Sequence, residues 1–174
     1  MFDGDAHDPD AALVSLRGIL EIDEGNAVTL QSIGDILERE ERWEALIDIL
    51  EIQEGCAPNH EDQVSIRYRI GWIWEQEIQN ADKAILTYQA VLDEVPDHQL
   101  ALKALERLYS ALDRPRDLID VYEQMAREAS EKDEKIRFLG KVAQTWEERF
   151  EGVEEAVLAN DRILEIDDEN LEVI

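Results

Sequence analysis

The chain has 174 residues, 44% of them hydrophobic, with 8 glycines, 4 prolines and one cysteine. No run of about 18 uncharged apolar residues occurs, so nothing reads as a membrane span, and a lone Cys56 excludes an internal disulfide and a multi-cysteine zinc site. Asp and Glu number 43 against 17 Lys and Arg, a net charge of −26 that repels phosphate backbones and argues against nucleic acid as a ligand.

In chain order, the acidic N-terminus MFDGDAHDPD lacks the basic and apolar regions of a secretory signal, which favours a soluble, cytoplasmic protein. Asp8 is a good N-cap and Pro9 suits a first helical position, so a helix opens there. It carries Leu13, Leu16, Ile19 and Leu20 and is expected to end near Gly25-Asn26. A second helix is expected from Ala27 to Glu40, with Leu30, Ile33, Ile36 and Leu37 as its apolar stripe. A third begins at Trp43 with Leu46, Ile49 and Leu50, and is broken between Gly55 and His60. A fourth, from Glu61 to Glu77, turns Ile66, Ile70, Ile73 and Trp74 inward. Asn80 caps a fifth, which carries Ala84, Tyr88, Val91 and Leu92 and stops at Pro96. A sixth is expected from His98 to Leu112 and a seventh from Pro115, bearing Leu118, Val121, Tyr122 and Met125. Ser130 with Asp133 has the spacing of a capping box for an eighth, with Phe138, Val142 and Trp146. Gly152 opens a ninth with Ala156, Ile163 and Leu164, and residues 169–174 begin another element.

The chain repeats itself at a spacing of 72 residues. Leu30 falls on Leu102, Arg42 on Arg114, Leu46-Ile47-Asp48 on Leu118-Ile119-Asp120, and Trp74-Glu75 on Trp146-Glu147. Ala84 and Leu92 fall on Ala156 and Leu164. One period therefore holds two helical hairpins of roughly 34 to 36 residues each. A lone amphipathic hairpin cannot bury its apolar face, so neighbours must stack into one continuous core.

Within each hairpin a further pattern recurs. Ile70-Gly71-x-x-Trp74 precedes Ala84-x-x-x-Tyr88 and Pro96, and Leu102-x-x-Leu105-Glu106-x-x-Tyr109 precedes Leu118-x-x-x-Tyr122. Leu30-x-x-Ile33-Gly34-x-x-Leu37 with Leu46-x-x-x-Leu50, and Leu139-x-x-Val142-Ala143-x-x-Trp146 with Ala156, complete the set. These residues resemble the tetratricopeptide repeat, and most closely the bacterial arrays in which short-linked and longer-linked hairpins alternate. The resemblance implies an all-α fold: a right-handed solenoid of antiparallel helix hairpins, with first helices lining a concave groove. It divides the chain into an orphan helix over 8–24 and hairpins over 27–57, 60–95, 98–129 and 131–167, a single repeat domain cut from a longer array. Gly34, Gly71, Ala84 and Ala156 fall where the two helices of a hairpin approach closely, and a larger group there is expected to push them apart.

No catalytic constellation stands out, and neither an enzyme activity nor a cofactor is expected. His7, His60 and His98 lie in separate inter-helix segments, and Cys56 near a helix end reads as a packed small hydrophobe. Acids are scattered along the helices, as on a solvated surface. Recognition remains. Tyr68 and Trp72 stand four apart, off the core stripe of their helix, and their equivalents one period on are Gly140 and Gln144. Arg69, Lys103, Arg107, Arg137 and Lys141 gather cations on the helices expected to face the groove, unless Glu106 and Glu134 neutralise them. The expected function is a protein–protein interaction scaffold. Tyr68 and Trp72 would anchor a peptide or partner segment, and the five cations would hold an acidic group. The alternative is a structural spacer or self-assembly segment, including a homodimer formed through the exposed repeat ends.

Overall fold

The computed structural model describes residues 8–167. It divides into two compact units, Met1–Thr87 and Tyr88–Ile174. Nine helices occur among the described residues, joined only by turns and short links. They are α1 (Pro9–Leu20), α2 (Ala27–Arg39), α3 (Trp43–Gly55), α4 (His60–Gln76), α5 (Ala81–Glu94), α6 (Gln99–Ala111), α7 (Pro115–Glu128), α8 (Lys132–Phe150) and α9 (Val153–Ile166). The element expected at 169–174 and His7 lie outside the described residues.

Helix starts follow local chemistry. The backbone N–H groups of Asp10 and Ala11 donate to Asp8 Oδ1, and Pro9 occupies the first turn, where its missing N–H costs nothing. Thr29 N–H donates to Asn26 Oδ1, Lys83 N–H to Asn80 Oδ1, and Ala101 N–H to His98 Nδ1. Three expectations about helix ends and spacing are corrected. α1 ends at Leu20 rather than near Gly25, because Asn26 and Asp23 are committed to the start of α2 and Ile22 is 90% exposed. α8 starts at Lys132 with Glu131 before it, one residue too late for the Ser130–Asp133 capping box, and no side chain caps it. A Cβ on Gly34 would meet only Leu46 Cδ1, at 3.6 Å, an ordinary contact; that position does not demand glycine.

The 72-residue period returns in the backbone. Among the described residues, Glu41, Gln79, Asp113 and Glu151 are the non-glycine residues with positive φ, between 52 and 58°. Each lies in the link between a first and a second helix. After Glu41 and Asp113 the next N–H reaches back five residues, Arg42 to the Leu37 carbonyl and Arg114 to the Tyr109 carbonyl. After Gln79 and Glu151 it reaches back six, Asn80 to Trp74 and Gly152 to Trp146. Two turn types therefore alternate, each paired with its copy one period away.

In the first unit α1 packs on α2, α2 on α3 and α3 on α4. Leu13, Leu30, Ile33, Leu37, Leu46, Leu50, Ile70 and Ile73 form its core, with Leu16, Trp43, Ile66 and Trp74 packed against them. Ile19, expected on the core stripe, is 43% exposed. In the second unit α6 packs on α7, α7 on α8 and α8 on α9. Leu102, Leu105, Tyr109, Tyr122, Met125, Leu139, Val142 and Ile163 are buried there. Burying a side chain of this size contributes roughly 1.5–3 kcal/mol, which is what holds helices too short to persist alone.

Candidate partner-binding faces

On α4, Val64, Ile70, Gly71 and Ile73 are buried and hold the helix against its neighbours. Tyr68 is half-buried on another face, and one turn further Trp72 is 40% exposed. Arg69, between them in sequence, turns elsewhere. Its guanidinium pairs with Glu38 of α2 at 2.9 Å, and it lines a cleft of about 390 Å³ bounded by α2, α3 and α4. Leu30, Leu50 and Ile66 are among the apolar residues of that cleft; Tyr68 and Trp72 are not among its lining. Cys56 stands at the same cleft and is exposed, not packed as its sequence neighbourhood suggests, because the chain leaves α3 just before it.

In the second unit, Lys103 and Arg107 are exposed on α6. Lys103 makes no ion pair with the described residues. Arg137 of α8 pairs with Glu134 at 3.3 Å and lies over the Phe138 ring at 4.8 Å. Lys141 bridges α8 to α6 through Glu106 at 2.6 Å, and its ammonium sits 4.7 Å from the Tyr122 ring centre. Burial, and then the Glu106 carboxylate that accepts the Tyr122 hydroxyl, push the Tyr122 phenol up to about 12. Glu106 and Glu134 thus compensate Lys141 and Arg137, as Glu38 compensates Arg69. The local gathering of cations is largely balanced in charge.

A constellation that sequence reasoning missed lies at the α6–α7 turn. Arg114 forms a two-pronged pair with Asp117, both contacts at 2.9 Å, and stacks over Tyr109 at 4.8 Å. Arg149 pairs with Asp113. Tyr109, Asp113, Arg114 and Arg149, with Tyr122 and Lys141, line a polar cleft of about 280 Å³. The match of Arg42 to Arg114 across the period was the one signal available, and it did not separate a turn arginine from a site. Across α7 and α9, Arg162 meets Glu123 at 2.7 Å, and the hydrogen bond to that carboxylate holds its guanidinium above the usual arginine range.

Among the described residues, no three His, Cys, Asp or Glu side chains converge so as to hold a metal ion, and no helix is long and apolar enough to cross a membrane. His60 opens α4 and His98 caps α6.

Residues 101–136, which span α6, α7 and the start of α8, match a family model described as tetratricopeptide repeat. No curated protein matches the chain in sequence. Among solved structures, MamA is 20% identical with a TM-score of 0.50, covering 97% of this chain and 96% of its own. A second MamA structure is 19% identical with a TM-score of 0.50, covering 94% and 85%. YrrB, described as a TPR protein with an unusual peptide-binding site, is 13% identical with a TM-score of 0.50, covering 95% and 81%. Residues 101–136 thus match the tetratricopeptide repeat in sequence, and the helix pairs have the fold of these solenoids.

Proposed function

We propose that this chain is a protein-interaction scaffold that takes a peptide or partner segment, and that its role is binding rather than catalysis. Trp72 carries the reading. A large aromatic stands 40% exposed on a helix whose core stripe is complete without it, and the equivalent residue one period on is the exposed Gln144. The fold does not need the ring, and exposed indole next to a tyrosine one turn away is the composition of an interface anchor. In the first unit Trp72 and Tyr68 form the apolar anchor, with Arg69 beside them in sequence on its own cleft. In the second unit the exposed Lys103 and Arg107, supported by Arg137 and Lys141, receive an acidic group of the partner. YrrB, which shares the fold, is described as having a peptide-binding site, and that agrees with this reading.

The test is selection of peptides from a displayed random library on the full chain, followed by affinity measurement on Trp72→Ala and Arg107→Glu variants. Each substitution is expected to weaken the selected peptides by about tenfold or more, in the range of a truncated interface anchor. Unchanged affinity in both variants would sink the proposal.

A second reading, a spacer or self-assembly segment, is favoured by one observation: Val153, Val157 and Leu158 are 66%, 49% and 64% exposed on α9. A concentration-dependent dimer in sedimentation, abolished by Val157→Glu, would support it.

A further inference from the structure

We infer that the cleft between α2, α3 and α4 is a socket for an aromatic side chain of a partner peptide, seated beneath Arg69. The inference rests on the scaffold reading above and names what the partner inserts. The cleft holds about 390 Å³, within the roughly 300–1,000 Å³ of small-ligand sites. Leu30, Leu50 and Ile66 give it an apolar lining, with Ser65, Cys56 and Arg69 also at its walls.

The second unit shows what belongs in such a space, because each of these positions has a copy 72 residues later. Leu50 becomes Tyr122, Ile66 becomes Phe138, and Arg69 becomes Lys141. There the cation lies over aromatic rings, 4.7 Å from the centre of Tyr122 and 5.9 Å from that of Phe138. Arg137, the copy of Ser65, lies 4.8 Å from Phe138 as well. The repeat has thus built a cation-over-ring arrangement into one unit from its own residues. In the other it kept the cation, substituted smaller aliphatic side chains for the rings, and left a cleft.

The partner of Tyr122 changes in step. Glu106, which accepts the Tyr122 hydroxyl, corresponds to Gly34, so nothing at that position would hold a tyrosine of the chain itself. Arg69 leans instead on Glu38, at 2.9 Å, which keeps the guanidinium at the cleft wall. A phenylalanine or tyrosine ring supplied by a peptide would lie on the half-buried Ile66, above the buried Leu30 and Leu50 at the cleft floor, and present its face to the guanidinium, restoring the contact the second unit makes internally.

The probe is N-acetyl-phenylalaninamide, titrated into the full chain and followed by backbone amide shifts. Saturating shifts are expected at Ala57, Ile66 and Arg69. N-acetyl-leucinamide should bind at least about threefold more weakly, and Arg69→Gln should weaken the aromatic probe by about threefold, the share of an exposed cation–ring contact. Ile66→Phe, which puts the second unit's own ring into the cleft, should abolish saturation. Because Ile66 also packs on the core, a plug that leaves the core untouched provides a second measurement: a bulky maleimide on the exposed Cys56 thiol should block the probe equally. Trp72→Ala and Arg107→Glu, which the scaffold proposal requires to weaken peptides, should leave this probe's binding unchanged. The two ideas therefore fail separately. Absence of saturable shifts at the cleft, equal affinity for the leucine probe, or indifference to both plugs would overturn the inference. So would a dimer that dissociates when Cys56 is blocked, since that would assign the cleft to a second copy of the chain.

Discussion

The two units solve the same packing problem with different residues. In the first, Gly34, Leu50, Ile66 and Arg69 occupy positions held in the second by Glu106, Tyr122, Phe138 and Lys141. The second set is closed on itself. A tyrosine hydroxyl meets a carboxylate, the carboxylate meets an ammonium, and the ammonium sits above the tyrosine ring. The first set has no tyrosine and no carboxylate at these positions, its cation reaches to Glu38, and a cleft remains. One backbone period thus accommodates a polar–aromatic lock in one copy and an open apolar recess in the other. Stability in this fold comes from the buried stripe that both copies share, so the positions around it were free to diverge.

The sharpest way to break this contrast is to remove the residue on which each arrangement turns. Tyr122→Ala should destabilise the protein by about 4 kcal/mol in a urea melt, because it deletes a buried ring and leaves Glu106 and Lys141 facing a void. Leu50→Ala, at the equivalent position, should cost about 3 kcal/mol, since no polar group is orphaned with it. Equal costs would mean that the lock adds nothing to simple burial.

The lock also carries a pH signature that the first unit lacks at this position. With its phenol at about 12 in the folded state against about 10 in an unfolded chain, Tyr122 favours folding in its protonated form. Its contribution is intact below pH 10 and is lost as pH rises from 10 through 12. Replacing Glu106 with Gln removes the carboxylate's share and leaves that of burial. The phenolate absorbance of Tyr122 should then appear at lower pH than in the parent, moving down toward 10. An unshifted titration would show that Glu106 does not hold the hydroxyl.

The smallest effect is in the turns. Glu41→Gly should stabilise the first unit by about 0.5–1 kcal/mol, because glycine removes the Cβ penalty of a left-handed backbone at a modest entropic cost. Asp113→Gly, one period on, should gain less, since Arg149 loses its partner, an exposed pair worth about 0.5 kcal/mol. Thermal melts of the two variants read this difference directly.

The letters of the chain determined which segments are helices and how often they recur. Caps such as Asp8 and Asn80 act within three residues, and apolar stripes such as Leu30, Ile33 and Leu37 follow the helical period, so both are local and legible. The repeat itself was legible because a 72-residue spacing copies whole helices. The face bearing Tyr68 and Trp72 was readable too, as a departure from the stripe and from the period.

What only the tertiary structure decided is how side chains far apart in sequence meet. Arg69 finds Glu38 at a separation of 31 residues and Lys141 finds Glu106 at 35. That spacing is set by the stacking of one hairpin on the next, not by any local rule, and it parted Arg69 from the aromatics beside it. The cleft under Arg69 and the exposure of Cys56 have the same origin. A recess is defined by atoms that are missing between helices, and no single segment of sequence records an absence that three helices create together.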